Sequence, residues 1–134
     1  MNRYVTDIER LKRLAPVMER CGVEANMLAP ASTLVEYGGD STMVSHTVGT
    51  YDYAALESVL PDWVFGYCDR NTKSCELYDI YHDFMDSIQN EDLYWEIENI
   101  LFDIFSNRDE VKLNAMCDLI LLLDENNVKL RSVL

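Results

Sequence analysis

"YHDFMDSIQNEDLYWEIENILFDIF", Tyr81 to Phe105, decides the fold, because apolar residues recur at helical spacing on both sides of a polar break. Counting back from the break, Leu77, Ile80, Tyr81, Phe84 and Ile88 lie three and four residues apart and predict an amphipathic helix starting near Ser74. Beyond it, Leu93, Ile97, Ile100, Leu101, Ile104 and Phe105 predict a second. Asn90 suits the cap of that second helix, since its amide oxygen can accept an orphan N–H, and Glu91 and Asp92 favour the first turn. The quoted stretch holds seven acidic residues and no lysine or arginine. Between Lys73 and Arg108 there are nine carboxylates and no basic side chain.

Toward the C-terminus, "SNRDEV" opens a third helix, with Asn107 three residues ahead of Glu110 as a capping box. Val111, Ala115, Met116, Leu119, Ile120 and Leu123 form its apolar side. Three helices joined by short loops predict antiparallel neighbours.

Toward the N-terminus, Thr6-Asp7-Ile8-Glu9 reads as a capping box with Thr6 at the cap. Ile8, Leu11, Leu14 and Met18 follow at helical spacing, and Gly22 is suited to end the helix. Pro16 predicts a kink or a break into two pieces. Arg10, Lys12, Arg13 and Arg20 lie mainly off the apolar stripe, as cationic partners for the acidic half within the chain or across a dimer. Thr33–Tyr37 and Ser41–Val48 predict a hairpin around Gly38-Gly39-Asp40, whose glycines tolerate positive φ. One hairpin alone is marginal in water, so it is expected to pack on helices or to pair with another strand, which Asp62–Cys68 could supply. Between them Asp52 caps a short helix that Pro61 ends.

The fold class is therefore α+β, mainly helical: a C-terminal antiparallel helical bundle with a small β-hairpin or short sheet in the N-terminal half. At 134 residues the chain reads as a single domain, 1–134. It divides into a helix-plus-hairpin half, 1–73, and an acidic helical half, 74–134.

The net charge of −13 is distributed unevenly, +2 over residues 1–20 and −9 over residues 74–107. Such a chain is a poor direct ligand for nucleic acid or for an anionic membrane surface, because both need cations. A basic protein is the natural complement, including a nucleic-acid-binding protein. No apolar run approaches the roughly 20 residues of a membrane span, and the N-terminus lacks the apolar core of a signal peptide. A cytoplasmic location is expected. Cys21, Cys68, Cys75 and Cys117 then read as reduced thiols. Cys68 and Cys75 flank "DRNTKS", a spacing unlike a zinc knuckle, so no metal or cofactor is expected.

Asp79, Asp83 and Asp86 fall in one line with Glu76 on the first acidic helix, and Asp92, Glu96, Asn99 and Asp103 in one line on the second. Successive carboxylates on such a line stand about 5–6 Å apart, on the scale of phosphates along a strand. Like charges so placed destabilise a helix by about 0.2–0.5 kcal/mol per pair, and no interleaved lysine relieves them. Trp95 falls off the apolar stripe among acids, as an interface anchor does. The expected partner-binding residues are Asp79, Asp83, Asp86, Asp92, Glu96, Asp103 and Trp95.

Catalytic groups are sparse. The order His46, His82-Asp83, Asp103 and Asp118 resembles the metal-ligand order of the HD-type phosphohydrolases, which implies a metal-dependent hydrolase using His82 and Asp83. That family places its ligands on helices, whereas His46 falls in a predicted strand, and His82 reads as a surface histidine among acids. There is no glycine-rich phosphate loop and no nucleophile triad, so no catalytic residue is assigned. The leading reading is a small acidic non-catalytic binding protein of the inhibitor, immunity or anti-defence type, from a phage or mobile element. Its sharper form is nucleic-acid mimicry. The rival reading is a structural or adaptor homodimer using the surplus aliphatics Leu121, Leu122, Val128, Leu130, Val133 and Leu134.

Overall fold

Asp7, not Thr6, opens the first helix. In the computed structural model, which describes residues 4–37, 40–66 and 76–132, the Asp7 carboxylate accepts the backbone N–H groups of Glu9 and Arg10 at 3.1 and 3.2 Å. A charged carboxylate outranks a threonine hydroxyl as a cap, which moves the start by one residue. Helix α1, Ile8–Arg20, runs through Pro16 as one element in place of two pieces. It ends at Cys21, where Gly22 takes φ 82°. The Val23 N–H then reaches the Met18 carbonyl and the Gly22 N–H that of Glu19, the pairing of a Schellman motif.

Strands β1, Met27–Tyr37, and β2, Asp40–Thr50, pair antiparallel from Tyr37↔Asp40 to Met27↔Thr50. The ribbon is longer than the alternation in the sequence suggests and includes Pro30, opposite Thr47. Each strand of a two-stranded ribbon is an edge, where proline is tolerated. The Gly38-Gly39 turn lies outside the described residues. At the base, the Thr50 hydroxyl is buried and donates to the Val5 carbonyl, while the Val5 N–H donates to Tyr51.

No third strand joins this sheet among the described residues. Asp62–Gly66, expected as a strand, is a 3-10 helix in which the Val64 N–H bonds to the Pro61 carbonyl. Its Trp63 stacks on Phe84 with ring centroids 3.9 Å apart. A side chain fixed by tertiary stacking overrides the strand preference of an aromatic, β-branched run. Tyr67 and Cys68 lie outside the described residues.

Four further helices complete the fold: α2, Tyr53–Val59; α3, Glu76–Asp86; α4, Glu91–Ile104; and α5, Asp109–Glu125. Asp52 and Asn90 cap α2 and α4 as expected, accepting from Ala55 and Leu93. Helix α5 begins instead after Arg108 with no side-chain cap, and the Ser106 hydroxyl accepts the Arg108 N–H in place of an Asn107 box.

Helix α5 is the hub. Its Leu113, Met116, Cys117, Leu119, Ile120 and Leu123 are all buried, against α1, α2 and α4, while α3 packs on the 3-10 helix. Leu113 and Cys117 fall outside the expected stripe because this helix is covered on most of its circumference. Arg10 forks onto Asp118, Nε to Oδ1 at 2.9 Å and Nη2 to Oδ2 at 3.1 Å, and Arg20 meets Asp124 at 2.8 Å. These pairs tie α1 to α5 within the chain. The segment after α5 returns across the body: the Arg131 N–H bonds to the Val59 carbonyl and its guanidinium to Asp62. Val128 and Leu130 pack on the core together with Leu121 and Leu122, so half-burial accounts for these four surplus aliphatics. Val133 and Leu134 lie outside the described residues. No described helix is long and apolar enough to cross a membrane.

Candidate partner-binding face

Helix α4 has two unlike sides. Ile97, Leu101 and Ile104 are fully or almost fully buried, with Leu93 and Ile100 half-buried beside them. At about 100° per residue the opposite side is centred on Trp95, with Phe102 within about 20° of it and Asn99 alongside. Trp95 is 56% exposed and Phe102 71% exposed. Phe105, expected in the buried stripe, is 42% exposed, because it lies one residue beyond the helical end. Ile80 on α3 is likewise 40% exposed, and Met85 takes the buried place beside Tyr81. The side chain of Leu77 lies outside the described residues.

Carboxylates flank the aromatic pair on both sides. Asp92, Glu96 and Asp103 run down one flank and are exposed. Glu91 and Glu98 run down the other, where α3 approaches. Here the Tyr81 hydroxyl donates to Glu98 Oε1 at 2.6 Å. The Tyr94 phenol is pushed up, first by burial, then by the Glu98 charge and its hydrogen bond, and by Asp86. Trp95 and Phe102 stand between the Asp92–Asp103 row and the flank where α3 lies.

None of Asp79, Asp83, Asp86, Asp92, Glu96 or Asp103 is paired with a described lysine or arginine. The cations that do pair meet Asp7, Glu9, Asp62, Asp118 and Asp124 instead. A cleft of about 380 Å³ borders the row, and Glu96, Asn99, Leu121, Leu122 and Arg13 are among the residues that line it.

Of the metal-ligand order, the His46 side chain lies outside the described residues. His82 is exposed and edges against Tyr78 and Tyr81 at 4.5 and 5.5 Å, and Asp118 is held by Arg10. Among the described residues no three His, Cys, Asp or Glu side chains converge on one point. Cys21 and Cys117 are free and buried; burial pushes the Cys117 thiol up to about 12 and raises that of Cys21 as well. Cys68 and Cys75 lie outside the described residues. Sequence reasoning overlooked Phe102. The signal was present, since Phe102 falls on the Trp95 side of the same helical projection.

Comparison with protein-family models, with curated proteins and with solved structures finds no match.

Proposed function

We propose that the protein is a non-catalytic binding protein, of the inhibitor or immunity kind, that presents the acidic faces of α3 and α4 to a basic protein. The observation that carries this reading is the segregation of charge. Six exposed carboxylates on two consecutive helices have no cationic partner among the described residues, while Arg10, Lys12 and Arg20 of α1 pair with other carboxylates. Each like-charge pair along a helix costs stability, and a solubilising surface would mix signs. In the finer form of the proposal, the carboxylate rows occupy a groove that otherwise holds a phosphate backbone.

The test is an affinity capture at low and moderate salt with the parent, Asp79→Asn/Asp83→Asn/Asp86→Asn and Asp92→Asn/Glu96→Gln/Asp103→Asn. The expected result is a basic protein retained at low salt, released as salt rises, and retained less by the variants. Rim charges act mainly on the association rate, so the deficit should appear there. A captured set indifferent to salt and to both variants overturns the reading. Competition by an oligonucleotide for the same partner tests the mimicry.

A further inference from the structure

Resting on that reading, we infer that the outer face of α4 docks a basic amphipathic helix of its partner, with Trp95 and Phe102 seated in that helix's apolar seam. Trp95 and Phe102 lie seven residues apart, a rise of about 10 Å along α4. Residues one heptad apart on a second helix repeat at the same distance, so a helical seam meets both anchors in register. An extended strand has no such repeat. Asn99, between them on the same face, is exposed and offers an amide rather than a third apolar contact.

The flanks fix the charge of the occupant. Asp92, Glu96 and Asp103 line one side of the aromatic pair, and Glu91 and Glu98 the other. A partner helix with lysine or arginine along one side of its seam places cations against the exposed Asp92, Glu96 and Asp103 row, while Glu98 on the other flank already accepts from the Tyr81 hydroxyl of α3. Apolar anchors at the centre with charge at the rim is the general anatomy of a protein interface. A second copy of this chain is the wrong occupant, because two such faces would oppose carboxylates with carboxylates along both flanks.

The probe is a synthetic amphipathic peptide of leucine and lysine with its leucines at helical spacing. The control is a peptide of equal length and charge with serine for every leucine. The leucine peptide is expected to bind about tenfold more tightly at moderate salt, and to shift Trp95 emission to the blue. Trp95→Ser/Phe102→Ser should remove that preference while leaving the affinity for the serine control unchanged. Both side chains are exposed, so the variant should fold, which circular dichroism and a thermal melt confirm. Equal binding of the two peptides, or a preference that survives in the serine variant, overturns the docking inference and leaves the acidic-face reading standing. Binding of neither peptide at low salt overturns both. A dimer of the protein alone that Trp95→Ser/Phe102→Ser dissolves assigns the face to self-association and overturns the inference.

Discussion

Gly49 shows how closely single atoms are fitted at the base of the ribbon. A Cβ built there would sit 2.5 Å from the Cβ of Ala25. Gly49→Ala should therefore destabilise the protein by about 1–3 kcal/mol, as overpacking does. Ala25→Gly should restore most of it, which a double-mutant cycle in urea would measure. Asp7 carries a different residue-scale effect. Backbone N–H donation from Arg10 and the Arg10 guanidinium hold its carboxyl below the ordinary aspartate value of 3.8. Because the folded value is depressed, Asp7 contributes stability that is present above pH 3.8 and lost as pH falls through the folded value. Asp7→Asn keeps a capping oxygen but cannot titrate. Its stability should fall less steeply below pH 3.8 than that of the parent; equal slopes would remove Asp7 from the acid transition.

At the scale of elements, α4 separates fold from face. Ile97→Ala or Ile104→Ala opens a cavity in a fully packed position and should cost about 2–5 kcal/mol. Trp95→Ser should change the melt little. If Trp95→Ser destabilises as much as Ile97→Ala, Trp95 belongs to the core. Helices were legible because their periods are long and their caps local, as Asn90 and Asp52 illustrate. The 3-10 helix was not, because "DWVFG" has the composition of a strand and only the stacking of Trp63 on Phe84 decides against it. The length of the ribbon was hidden by Pro30, which reads as an interruption until the strand is known to be an edge. Of the candidate face, the carboxylate rows and Trp95 were readable from helical phase. The way α3 meets α4 was not, since it depends on Tyr81 reaching Glu98 across the loop between the helices.

Over the whole molecule, charge opposes folding where the chain is most acidic. Asp79–Asp83 and Asp83–Asp86 are like-charge pairs at four and three residues on one helix face. Asp79→Asn/Asp83→Asn/Asp86→Asn should gain about 0.5–1 kcal/mol at low salt, summed over two such pairs. Screening shortens the reach of these charges to about 8 Å at physiological ionic strength, so the gain should shrink as salt is added. A gain independent of salt would trace to helix propensity instead.

The ribbon enters and leaves the body at one place: Met27 is paired with Thr50, and the Asn26 N–H bonds to the Thr50 carbonyl. Its two strands pack chiefly on each other. Topologically it is a graft, a length of chain whose two ends are already neighbours. Replacing residues 28–49 with two glycines shortens the connection roughly elevenfold, which changes closure entropy by only about 2 kcal/mol, in favour of the shorter chain. The helical body should therefore assemble without the ribbon and keep a cooperative melt. A shortened chain that melts without cooperativity would make the ribbon a structural member. If the body does hold, the Met27–Thr50 junction becomes a port at which a foreign module can be inserted without disturbing the helices.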